Sequence, residues 1–305
     1  MIEFVRYRLR TRVALNATTS RREYEGALVR YDDGYGCVHP WPELGDGTLE
    51  EELNCLRSGK DTRLTRATRR CITLDGEARR AGRWLFEGLE PPLSHATLLE
   101  PDLKLVVEAA NRGFTMVKVK GSAENLDQLA TLIEVSPLPV RIDFNESMIL
   151  EDLLRWRMRL SEEARRMLDF VEDPCPYDPE AWESLRRETG WNLALDRSSE
   201  RAEGGFQVLV LKPAVDALDV GETPFIVTSY MDHPLGQLYA AFEAARLAAR
   251  FPNQILLGGL ATHGLFQDLP SVLQLGDGPD LRLPSGTGLG MNDYLNSLSW
   301  EPLKA

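Results

Sequence analysis

"TMVKVKG", residues 115–121, sets two lysines inside an apolar run. β-Branched residues and a closing glycine mark the run as a strand. Side chains two apart share a face, so Lys118 and Lys120 lie side by side, with Val117 and Val119 turned away. Two like charges on one face repel, and burying either is costly unless it is paired or neutralised. A strand edge with solvated lysines is the plain reading of this stretch alone. The chain around it argues for another.

From "EPPLSH" (90–95) onward, apolar runs and helical periodicities alternate. The predicted strands are "ATLLE", "FTMVKVK", "PVRIDFN", "LDFVEDP", "NLALD", "QVLVLKP", "PFIVTSY" and "QILLGGL". Helical segments separate most of them, among them "ILEDLLRWRMRLSEEARRM" and "GQLYAAFEAARLAARF". Eight strands with intervening helices predict a (β/α) barrel, with an open doubly wound sheet as the alternative. No GxGxxG follows the first strand, so dinucleotide binding has no support. "SGTGLG" near the end reads as a loop. Only "RSSERAEGGF" separates the fifth and sixth strands, too short for a full crossover helix.

The first ninety residues differ. "IEFVRYRLRTRV" and "YEGALVRYDDGYGCVHPW" read as antiparallel strands with a turn at "DDGYG". Helices are expected over 48–59 and 63–89, and the arginine run in the second reads as a solvated face. The expected organisation is an α+β domain over 1–92, a barrel over 93–288, and a tail over 289–305 with the first domain as its candidate destination.

The chain has 305 residues, a formal net charge of −12 and an ordinary apolar fraction of 43%. The acidity argues against a general nucleic-acid binder. Cys37, Cys55, Cys71 and Cys175 form no CxxC pair, so neither a zinc ribbon nor a redox motif is indicated. The most apolar helical stretch contains Glu243, Arg246 and Arg250 and does not span a membrane. The N-terminus lacks the apolar core of a signal peptide. A soluble, cytoplasmic protein is expected, with oligomeric state left open.

In a parallel barrel the active site lies at the C-terminal ends of the strands. There "VKVK" ends in Lys120, "RIDFN" carries Asp143 and Asn145, "FVEDP" carries Glu172 and Asp173, "LALD" ends in Asp196, and "LVLKP" carries Lys212. Three carboxylates from adjacent strands are expected to converge, which requires a cation. Oxygen ligands without nearby His or Cys select a hard ion, Mg²⁺ or Mn²⁺. The flanking lysines would face each other across a bound substrate. The metal and the neighbouring lysine would lower a lysine pKa toward that of a working base. A metal that grips a carboxylate, beside such a lysine, suits removal of the proton α to that carboxylate. A mere ion-pair layer at the barrel mouth is the plainer alternative.

KxK, DxN, EDP, a lone Asp and KP on successive strands resemble the enolase superfamily, in the branch containing o-succinylbenzoate synthases and N-succinylamino acid racemases. The resemblance covers nearly the whole chain. It implies an α/β protein: an α+β capping domain and a modified (β/α)₇β TIM-type barrel. It implies that Lys120 is the base, Lys118 its electrostatic neighbour, and Lys212 a cation or second acid/base on the opposite face. Asp143, Glu172 and Asp196 would bind Mg²⁺, Asn145 would orient a ligand, and Arg141 would support the site from the face of Asp143. Ser229, in "VTSYMDHPLG", would hold a distal carboxylate, or serve only as a turn residue.

The chain departs from the family pattern at Arg197, where an acid is common, and at Glu146, where a basic or amide residue is common. The lysine pair fits better than the superfamily's His–Asp bases: His233 lies at the seventh strand and His263 follows the eighth, with His39 and His95 elsewhere, but the sixth strand ends in Lys212, not Asp. The implied substrate is a small carboxylate. The favoured reaction is a dehydration yielding o-succinylbenzoate; racemisation or epimerisation of an acylated amino acid or dipeptide is the alternative, and a non-catalytic barrel the third. The short chain favours the synthase. So does "SYMDHP", which has a single Asp232 where epimerases often show Asp-x-Asp. Substrate choice is expected from the capping loop "NATTSRREYEG", through Arg21 or Arg22.

Overall fold

The computed structural model describes residues 1–15, 19–197 and 203–304. The chain opens with β1 (Glu3–Thr11), β2 (Glu23–Tyr31) and β3 (Gly34–Val38), paired antiparallel in that order. Two helices follow, α1 (Leu49–Ser58) and α2 (Arg63–Arg80). Each starts at a capping box, Thr48 with Glu51 and Thr62 with Thr65, which satisfies otherwise orphaned amides. α2 lies directly on β3, because a Cβ at Gly34 would overlap the Ile72 carbonyl. The helix ends at Arg80 rather than continuing to 89. Phe86, from the predicted helical run, is instead buried in the core.

The second sheet holds β4 (Ala96–Leu98), β5 (Val117–Lys120), β6 (Val140–Asp143), β7 (Leu168–Glu172), β8 (Leu193–Leu195), β9 (Val208–Leu211) and β10 (Phe225–Val227). They pair in chain order, all parallel. Their companions are α3 (Leu103–Asn111), α4 (Leu126–Val135), α5 (Leu150–Arg159), α6 (Glu162–Met167), α7 (Pro179–Thr189) and α8 (Pro234–Arg250). One predicted helix is thus two, divided at Ser161, whose side chain accepts from the Ala164 amide and starts α6. No α-helix lies between β9 and β10. The predicted eighth strand forms only isolated bridges, Ser94 to Gly258 on one side and Thr228 to Gly259 on the other. The Gly258 amide donates to Leu93 O at 2.9 Å and the Gly259 amide to Val227 O at 2.9 Å. That segment joins β10 to the start of β4 and completes the ring.

Alternation along the strands sorts the core. Val117, Val119, Ile142, Leu193 and Leu195 face outward against the helices. Phe170, Ala194, Val208, Val210 and Ile226 fill the barrel interior. Apart from Ala194, each fully buried side chain here contributes about 1.5–3 kcal/mol. After the barrel, β11 (Phe266–Gln267), α9 (Asn292–Ser297) and β12 (Glu301–Pro302) return to the first sheet, where β11 and β12 each pair with β1 antiparallel. Arg30 lies over the Trp300 ring at 5.0 Å beside this junction. No helix among the described residues is long and apolar enough to cross a membrane.

Candidate active site

Strand register sets the site. Lys120 pairs in register with Asp143, and Asp143 with Glu172. Lys118 and Lys120 both turn into the barrel. Lys118 Nζ lies 2.5 Å from Glu172 Oε1 and 3.0 Å from Asp143 Oδ2. Lys120 Nζ donates to Asp143 Oδ2 at 2.6 Å and to Asn145 Oδ1 at 3.3 Å. Lys212, one residue past β9, donates to Asp196, one residue past β8. A cavity of about 380 Å³ opens above these groups. The barrel lines it with Lys118, Lys120, Asp143, Asn145, Asp196 and Lys212, and the first domain closes it with Leu15, Trp41, Leu44 and Arg63.

The three carboxylates do not meet at one point. Among the described residues no three His, Cys, Asp or Glu side chains form a ready cage. Lysines are interleaved instead, with Lys118 between Asp143 and Glu172, and Lys212 on Asp196. Burial works against the charge of Lys118 and Lys212, but the facing carboxylates outweigh it and raise both. Burial would likewise raise Asp143, yet Lys118 and Lys120 hold it well below the carboxylate range. Glu172 is pushed up to about 7, by burial first and then by the charge of Asp143. Its Oε2 is buried without a partner among the described residues. An unsatisfied buried carboxylate oxygen beside two more acidic strand ends fits a hard cation.

The backbone is strained around this mouth. Asn145, Glu146, Asp173 and Met231 have φ of 51°, 62°, 41° and 51°. Such conformations cost on the order of 1–3 kcal/mol each and need surrounding contacts to hold them. Asp173 is held by accepting from the Asp196 and Arg197 amides at 3.0 and 3.1 Å. This fixes the turn that carries Asp196. The two departures noted in the sequence are one feature, because Arg197 Nη1 lies 3.3 Å from Glu146 Oε2 across the mouth.

Arg141 lies below the cavity, 2% exposed. Its Nε lies 2.7 Å from Asp169 Oδ2, and its Nη1 donates to Leu257 O at 2.6 Å, tying β6 to the closing segment. Ser229 lines the cavity with its Oγ 2.5 Å from Thr262 Oγ1. Residues 16–18 lie outside the described residues, Arg22 is exposed, and Arg21 is engaged with Glu43 at 2.7 Å. Trp41 and Arg63, which no sequence pattern singles out, line the cavity instead. Trp41 Nε1 donates to Tyr230 O at 2.9 Å, and Tyr230 donates to Asp46 Oδ2 at 2.8 Å, joining the first domain to the end of β10. His233 caps α8 by accepting from the Leu235 amide, and His263 bonds to Gly276 O. His95 lines the cavity and was not anticipated.

Residues 2–78 match the family described as the o-succinylbenzoate synthase N-terminal domain, and 103–221 the enolase C-terminal domain-like family. An o-succinylbenzoate synthase of Bdellovibrio bacteriovorus is 33% identical over 329 residues, spanning 99% of this chain and 98% of that protein. Among solved structures, a dipeptide epimerase from Enterococcus faecalis V583, complexed with Mg and the dipeptide L-Leu-L-Tyr, superposes with a TM-score of 0.78 at 16% identity, covering 95% of this chain and 98% of that one. The substrate-liganded L-Ala-D/L-Glu epimerase from Bacillus subtilis gives 0.75 at 16% identity, covering 95% and 97%. At these identities the structural likeness is one of fold.

Proposed function

Because the chain belongs to the o-succinylbenzoate synthase family of the enolase superfamily, we propose that it dehydrates 2-succinyl-6-hydroxy-2,4-cyclohexadiene-1-carboxylate to o-succinylbenzoate. The observation that carries this reading is the placement of the lysines. In the ring completed by the closing segment, β5 and β9 are separated by β6, β7 and β8. Lys120 and Lys212 therefore stand on opposite walls, with the acidic strand ends on the arc between them.

Asp143, Glu172 and Asp196 would hold Mg²⁺, whose charge, when bound, offsets the negative charge that develops on the substrate carboxylate. Lys120 takes the proton α to that carboxylate. The same ammonium then returns a proton to the departing β-hydroxyl, which leaves as water. Lys118 adds positive charge beside Lys120, and Lys212 presents a cation from the opposite wall. Asn145 fixes the orientation of Asp143 and Lys120, which it contacts. Trp41 and Leu44 cover the cavity from above and keep water from the reacting carbon.

Opposed lysines also suit a racemase of N-acylated amino acids, in which each serves one face. Against a dipeptide epimerase stands Asp232, which is buried and does not line the cavity, so it offers no acid to a peptide amine there. An ultraviolet assay with the cyclohexadiene precursor, with Mg²⁺ and with chelator, tests the proposal. Metal-dependent aromatisation is expected. No aromatisation, together with deuterium entering the α-carbon of N-succinylamino acids in D₂O, would move the assignment to the racemase.

A further inference from the structure

The seam where the barrel closes holds polar groups that this chemistry leaves unused. His95, just before β4, is 1% exposed and lines the cavity. Its Nδ1 lies 3.0 Å from Arg141 Nη1. A guanidinium only donates, so Nδ1 accepts. Burial, then the charges of Arg141 and Lys118, holds the imidazole well below its ordinary range, so the ring is neutral and its one proton sits on Nε2. Among the described residues that N–H has no hydrogen-bond partner.

The space before it is kept open by a glycine. A Cβ at Gly259 would stand 3.0 Å from His95 Nε2 and 2.8 Å from Thr228 Cγ2. Gly259 and Thr228 both line the cavity, and Thr228 Oγ1 is buried with no partner among the described residues. Rotation about χ1 exchanges the Thr228 methyl for its hydroxyl at this point. A donor that faces a cavity without a protein partner, beside a buried hydroxyl also without one among the described residues, fits a ligand oxygen.

We propose that His95 Nε2–H, with Thr228 beside it and Gly259 beneath, donates a hydrogen bond to the ketone oxygen of the substrate's succinyl arm. This rests on the substrate assigned above. An uncharged donor suits a neutral carbonyl, while the charged groups of the opposite arc serve the carboxylate that bears the reacting proton.

The test combines kinetics with ¹⁵N-histidine NMR on the whole protein. Gly259→Ala, whose methyl fills the space before His95 Nε2, is expected to raise KM about tenfold with kcat little changed. His95→Leu is expected to do the same, and His95→Gln, whose amide N–H reaches the position of Nε2, to recover most of the loss. The wild-type spectrum is expected to show His95 protonated on Nε2, with that signal moving when o-succinylbenzoate is added. An Nδ1-protonated ring, an unmoved Nε2 signal, or an unaltered KM in Gly259→Ala overturns the proposal while wild-type turnover upholds the substrate. Absence of wild-type turnover rejects the substrate instead, and the tautomer and the added o-succinylbenzoate still decide the donor.

Discussion

The two arcs of the barrel handle polarity in different ways. From β5 to β9, consecutive strands end in ammonium and carboxylate groups locked together by ion pairs, at 2.5–3.0 Å from β5 to β7, and between Lys212 and Asp196 beyond β9 and β8. From β10 through 254–262 to β4, the inward groups are uncharged: Thr228, Ser229, Thr262, Thr97 and His95, whose charged form burial disfavours. The charged arc is built of parallel ladders, with one register shift between β6 and β7, whereas the closing segment makes only isolated bridges. Ladder register can hold opposite charges at bonding distance on neighbouring strands, which offsets their desolvation. Bridges hold no such series, and there burial favours neutral donors and acceptors.

The largest effect expected from this contrast is in the charged arc. Lys120→Ala should lower kcat by about a thousandfold or more, with circular dichroism and melting temperature near wild type. Normal turnover in that variant would remove the base. Asp143→Ala should weaken Mg²⁺ by at least the ~10–100-fold typical of losing a mere supporting partner, read by calorimetry.

The neutral arc gives a stability prediction. Asp232, beyond β10, is pushed up to about 7 by burial. A raised folded pKa means the native state binds the proton more tightly than the unfolded chain. Stability is therefore full below the unfolded value near ~4 and falls as pH rises to about 7. The loss is at most about 4 kcal/mol. Urea midpoints at pH 5 and pH 8 should show this decline in wild type and a smaller one in Asp232→Asn; equal declines would place the proton elsewhere. The smallest effect belongs to Glu146 and Arg197, each about a quarter exposed. A double-mutant cycle with Glu146→Gln and Arg197→Gln should give a coupling of ~0.2–1 kcal/mol, lower at high salt.

The arcs also differ in how far they could be read in advance. A charge at the end of an apolar run conflicts with its surroundings, and five such conflicts in succession exposed the inward face of β5–β9, "TMVKVKG" included. His95, Thr228 and Gly259 conflict with nothing locally. Ser or Thr at a strand end is ordinary, and the meaning of Gly259 depends on a histidine far from it in the chain. The capping contacts of Trp41 and Arg63 stayed hidden for the same reason, while Arg21, which looked available, is taken by Glu43.

What the chain's order of residues determined by itself was the alternation of strands and helices, the periodicity that turns Val117 and Val119 one way and the lysines the other, and the identity of the charged strand ends. These follow from local geometry and from the cost of misplacing a charge. Tertiary structure alone decided that lysines stand between the carboxylates, that Glu146 and Arg197 answer each other, that a bridging segment and not a full strand closes the ring, and that His95 faces the cavity beside Gly259. Each depends on distances between groups remote in sequence, and such distances exist only once the ring has closed.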